Sequence, residues 1–71
     1  MAIMEQLTER QKEVLQHVIA GQTQQSAAHT MNLSPHTVRN YLSNARKATG
    51  CQSTIELAVK FYVEAIGVSN G

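Results

Sequence analysis

The sequence predicts an all-α fold, a small bundle of four helices. Three observations carry this: apolar residues recur at helical spacing and never alternate as in strands, each helical segment opens on a capping residue, and the links between segments are a few residues long. Short links force consecutive helices into contact around one core.

The first helix is expected over residues 9–20. Leu7, Val14, Leu15, Val18 and Ile19 supply the apolar stripe, Thr8 with Gln11 has the spacing of a capping box, and Gly21 stops it. Thr23 caps a second, short helix over 24–31, whose inward face is Ala27, Ala28 and Met31. Asn32 tolerates a left-handed backbone, Leu33 plugs the core, Ser34 caps, and Pro35 suits a first helical position. The third helix then covers 35–49, burying Val38, Tyr41, Leu42 and Ala45 and stopping at Gly50. Ser53 and Glu56 form another capping-box pair opening a fourth helix over 54–66, and residues 67–71 read as a frayed tail.

At 71 residues the chain is expected to be a single domain spanning 1–71, too small for a multi-step enzyme with its own cofactor pocket. Aromatics are 4 % and Trp is absent, so the core must be small and aliphatic. Net charge is +1, too little by itself to imply a polyanion partner, but its distribution says more. All five acids (Glu5, Glu9, Glu13, Glu56, Glu64) lie towards the ends; from Val14 to Ile55 the full charges are Arg39, Arg46 and Lys47, joined by His17, His29 and His36. The middle of the chain therefore carries an acid-free positive field. Cys51, the sole cysteine, has no partner for an internal disulfide and reads as a small, partly buried thiol. The histidines lack ligand spacing, so no metal or other cofactor is expected, and Glu13 with His17 reads as an i, i+4 surface pair. No signal peptide, membrane span, phosphate loop or nucleophile motif is present, which points to a cytoplasmic, non-enzymatic protein.

The turn between the second and third helices is the most informative segment. Two short helices crossing steeply need a small residue at the crossing (Ala28), a left-handed residue at the corner (Asn32) and an apolar plug after it (Leu33), which is the layout of a helix-turn-helix. The outward residues of the third helix are His36, Arg39, Asn40, Ser43, Arg46 and Lys47, with no acid among them. Arg39 and Asn40 suit base edges, Arg pairing with guanine and Asn with adenine. His36, Thr37, Arg46 and Lys47 suit phosphates, and Thr23 with Gln24 can offer backbone N–H groups to another phosphate.

The segments Leu7-Thr8-Glu9-Arg10-Gln11-Lys12-Glu13-Val14-Leu15 and Leu33-Ser34-Pro35-His36-Thr37-Val38-Arg39-Asn40-Tyr41, with Gly21, Ser43-Asn44 and Gly50, resemble the LuxR/FixJ/GerE-type DNA-binding domain of bacterial transcription regulators. The similarity runs from about Leu7 to Ile66. It implies a four-helix domain that binds palindromic double-stranded operator DNA as a homodimer, with the third helix as reader. By position, Arg39, Asn40 and Ser43 match base-contacting sites, and Thr23, Thr37 and Lys47 fall near phosphate contacts. The chain departs from the family pattern in helix two, where Gln24-Gln25-Ser26-Ala27-Ala28 replaces Asn-Lys-Glu-Ile-Ala, at Tyr41 in place of His, and at Ala48-Thr49 in place of Lys-Leu. Fewer cations predict weaker non-specific binding and a shallower salt dependence.

On the fourth helix Glu56, Lys60 and Glu64 make one polar stripe, and apolar residues cover the rest, more than a single core contact requires. Val59, Tyr62, Val63 and Ile66 are the candidates for a surface facing a second copy through helix 54–66. Two other readings stay open at this level. One is an adaptor that sequesters a regulator or contacts RNA polymerase without reading DNA; the other is a module like region four of sigma factors. The start at Met1, with no receiver or linker segment ahead of the first helix, favours a stand-alone regulator over one end of a longer protein.

Overall fold

A computed structural model describes residues 2–67. It contains a 3-10 turn η1 (Ile3–Gln6) and four helices, α1 (Glu9–Ile19), α2 (Gln24–Met31), α3 (Pro35–Thr49) and α4 (Thr54–Ala65). Among the described residues there is no strand. The tail expected over 67–71 lies outside the described residues from position 68 onward.

Each helix starts where a side-chain oxygen is available to satisfy an otherwise unpaired N–H of the first turn. Thr8 closes a full capping box: the Gln11 N–H donates to Thr8 Oγ1 (3.2 Å) and the Thr8 N–H to Gln11 Oε1 (2.9 Å). Thr23 accepts from the Ser26 N–H (3.0 Å), and Ser34 from the Thr37 N–H (3.1 Å) with Pro35 next to it. At α4 the box is half formed. Ser53 Oγ accepts from the Glu56 N–H (3.0 Å), but the Glu56 carboxylate reaches past the cap to the Gln52 N–H (3.0 Å).

The stops are backbone reversals. Asn32 has φ 60° and ψ 43°, and Gly50 has φ 76°, so both carry the chain through the left-handed region that the turn after each helix requires. Two ends fall one residue earlier than the periodicity predicts, at Ile19 and Ala65. Gly21 (φ 92°) and Gly67 (φ 69°) have already reversed the backbone there, leaving Ala20 and Ile66 as caps.

The core is aliphatic around one ring: Phe61, Leu15, Leu42, Leu57, Val14 and Val38 are its largest fully buried side chains. α3 lies at its centre and packs on α1, α2, α4 and η1. Ala27, Ala28 and Ala45 are buried, and Leu33 packs against the core as the plug after the turn. Tyr41 is half-buried rather than buried, because its phenol reaches the surface beside the Arg10 guanidinium. Cys51 is buried in the same core.

Two sequence expectations are corrected. Glu13 pairs with Arg10 (3.0 Å) and not with His17: a permanent charge three residues earlier takes the carboxylate, and Glu13 in turn holds the Arg10 pKa above its ordinary value. Glu64 is not part of a solvated stripe on α4. Its carboxylate accepts the N–H of Ile3 (2.8 Å) and of Met4 (3.0 Å), capping η1 from across the molecule and fastening Ile3 into the core. These two N–H groups hold the Glu64 carboxyl below its usual range.

Candidate nucleic-acid interface

The α2–α3 corner fixes how α3 is presented. The Asn32 N–H donates to the His29 carbonyl (3.1 Å) and the Leu33 N–H to the Ala28 carbonyl (2.8 Å), closing the last turn of α2 before Ser34 opens α3. With Val38, Leu42 and Ala45 turned into the core, the opposite side of α3 must face outward. At about 100° per residue, His36, Arg39, Asn40, Ser43 and Lys47 fall within about 60° of one direction, and Arg46 and Thr37 sit on opposite margins of that face. His36, Arg39, Asn40 and Lys47 are exposed; Thr37, Ser43 and Arg46 are half-buried.

Ion pairing separates α3 from the rest of the molecule. Arg10 pairs with Glu13, Lys12 with Glu9 (3.3 Å) and Lys60 with Glu56 (3.3 Å). Arg39, Arg46 and Lys47 have no carboxylate partner among the described residues, and all three lie on α3. Among the described residues, the side-chain positive charge without a carboxylate partner is therefore concentrated on α3. That helix has 15 residues, about 22 Å, and a width that a major groove admits.

Several expected contact groups carry other engagements. The Thr37 hydroxyl lies 2.9 Å from Ser34 Oγ, so it belongs to the helix cap as well as to the margin of the face. Thr23 Oγ1 accepts from Ser26, which leaves the backbone N–H groups of Gln24 and Gln25 as the open donors of α2. Arg46 is drawn sideways: its Nη1 donates to Thr54 Oγ1 (2.9 Å) at the start of α4. Helical periodicity puts Arg46 at the margin of the face but says nothing of this contact, which depends on how α3 and α4 pack.

α4 presents a second surface. Leu57 and Phe61 point into the core, while Val59 (57 % exposed), Tyr62 (48 %), Val63 (42 %) and Ile66 (51 %) do not. Ile55, absent from the sequence-based candidates, is more exposed than any of them at 77 %. Ile55, Val59, Tyr62 and Ile66 follow one another at spacings of four, three and four, the repeat of a seam between two paired helices. Among the described residues no group of side chains could hold a metal ion, and no helix is long and apolar enough to cross a membrane.

A small residue at the helix crossing, a left-handed corner, and a following helix with an outward basic face define a helix-turn-helix DNA-binding domain. The family model described as bacterial regulatory proteins, luxR family (GerE), matches residues 5–62. The chain belongs to that family, and membership makes it a DNA-binding transcription regulator. Nothing matches it among curated proteins or among solved structures.

Proposed function

We propose that the protein reads specific sequences in double-stranded DNA as a homodimer, with α3 in the major groove and the α4 seam joining two copies across a palindromic operator. The observation that carries this reading is the charge inventory: among the described residues, the three cationic side chains without carboxylate partners all lie on α3. No internal ion pair has to be broken before this face meets phosphates, and neutralising them releases the counterions of the DNA.

Arg39 and Asn40 are the base readers, with Ser43 beside them. His36, Thr37 and Lys47, together with the open N–H groups at Gln24 and Gln25, hold the backbone and set the register. Arg46 adds one more phosphate contact from the margin. In α4 the seam is a single helix face, small for a permanent interface, so pairing is weak in free solution and is completed on DNA carrying two half-sites.

Selection from a pool of random duplexes tests the reading. Enrichment of a palindrome whose affinity collapses with Arg39→Ala is expected. No enrichment at low salt, with tight binding to RNA polymerase or to another regulator instead, would establish the adaptor role in its place.

A further inference from the structure

We infer that Thr54, the first residue of α4, is a positioning residue for DNA binding: it holds the Arg46 guanidinium, in advance, in the direction of a backbone phosphate. The inference rests on the DNA-reading role of α3 and adds to it a residue outside the helix-turn-helix.

Arg46 lies seven residues after Arg39, hence about 20° from it around α3 and about 10 Å further along the axis. It is therefore on the DNA-facing side of the helix but at the margin that turns towards α4. Its Nη1 donates to Thr54 Oγ1 at 2.9 Å, in a half-buried contact across eight residues of sequence. The acceptor is neutral. A carboxylate in this place would fix the guanidinium equally well and cancel its charge; a hydroxyl fixes it and leaves the charge intact.

The nearest acid in sequence is kept away. Glu56, two residues beyond Thr54, is engaged by the Gln52 N–H (3.0 Å) and by Lys60 Nζ (3.3 Å). Of the five N–H donors of Arg46, one is used by Thr54, and no other side-chain acceptor takes the rest among the described residues. A long side chain that arrives already held loses less conformational freedom when it meets an anion. A chain with few cations benefits most from such an arrangement, since each phosphate contact carries a larger share of the affinity.

The experiment compares wild type with Thr54→Ser, Thr54→Val, Thr54→Ala, Arg46→Gln and the double variant Thr54→Val/Arg46→Gln, each shown by circular dichroism to be folded at the assay temperature. Dissociation constants are measured across a salt series, on the duplex that wild type enriches and on an unrelated duplex of equal length. Arg46→Gln is expected to lower the slope of log K against log salt by about 0.9 on both duplexes. Thr54→Val and Thr54→Ala each weaken binding about two- to tenfold, the cost of one unheld side chain. Thr54→Ser retains wild-type affinity, and the double variant matches Arg46→Gln alone.

An unchanged salt slope in Arg46→Gln would make Arg46 a strut between α3 and α4 and overturn the inference. So would a full additional loss from Thr54→Val in the Arg46→Gln background. Both results leave the DNA-reading role standing if Arg39→Ala still abolishes selective binding, whereas a wild-type chain that binds neither duplex overturns the two together.

Discussion

At the scale of single residues, the exposed face of α3 carries two kinds of cationic group. In the proposed reading Arg39 offers a planar, two-pronged donor suited to the O6 and N7 edge of guanine, whereas Lys47 offers a point charge near the helix end, suited to a backbone phosphate. Arg39→Ala is therefore expected to cost about 1–3 kcal/mol on the selected duplex, concentrated at one base position. Lys47→Ala costs less, affects all sequences alike, and lowers the salt slope by about one contact. Competition binding with single-base variants of the enriched site measures both, and equal losses on every sequence from both substitutions would refute the division of roles. The exposed members of this face were legible in the sequence because helical periodicity alone fixes which way a residue points once Val38, Leu42 and Ala45 are known to be buried. What periodicity could not supply was the partner of a long side chain. Arg46 bonds Thr54, and Glu13 takes Arg10 in place of His17, because both outcomes depend on reach and on competing groups.

At the scale of elements, each of the four helices is announced by a cap within three residues of its start, so sequence and structure agree on those starts. The Ser34 cap matters most, since it sets the entry of α3 and also holds the Thr37 hydroxyl at 2.9 Å. Ser34→Ala is expected to destabilise the fold by about 1 kcal/mol in urea denaturation, and to weaken DNA binding beyond that through a frayed first turn. Ser34→Asp should restore the cap, so a variant no more stable than Ser34→Ala would count against capping as the cause. η1 was illegible for the opposite reason: its cap is Glu64, which lies 61 residues from Ile3 along the chain. The Glu64 carboxyl is held below its ordinary value of 4.5 by those two N–H groups. A depressed folded pKa means the clasp contributes fully above the ordinary carboxylate value and is lost as pH falls through the folded value. Glu64→Gln should lower the melting temperature at neutral pH, and the gap to wild type should narrow as the pH falls below the ordinary carboxylate value and through the depressed folded one. A gap independent of pH would show that the clasp does not depend on the carboxylate charge.

At the scale of the whole molecule, the same chain must bury one side of α4 and expose another. Leu57 and Phe61 complete the core, and either change to Ala should cost about 2–5 kcal/mol because it leaves a cavity among fully buried neighbours. Ile55, Val59, Tyr62 and Ile66 lie on the other side and contribute nothing to this chain's own core. A charge placed among them therefore tests pairing without unfolding the protomer, since exposed substitutions shift stability by about 0.5 kcal/mol or less. Val59→Glu brings two like charges together across a two-fold seam, where a residue at the centre meets its own counterpart or a close neighbour. Its melting curve should match wild type. On a duplex with a single half-site the two proteins should bind alike, because α3 is untouched. On the palindrome, wild type should bind cooperatively and Val59→Glu should show two independent events of half-site affinity. Sedimentation of each protein with both duplexes gives the stoichiometry directly. Identical, cooperative binding of the palindrome by wild type and Val59→Glu would remove α4 as the joining surface, and identical non-cooperative binding by both would remove the homodimer itself.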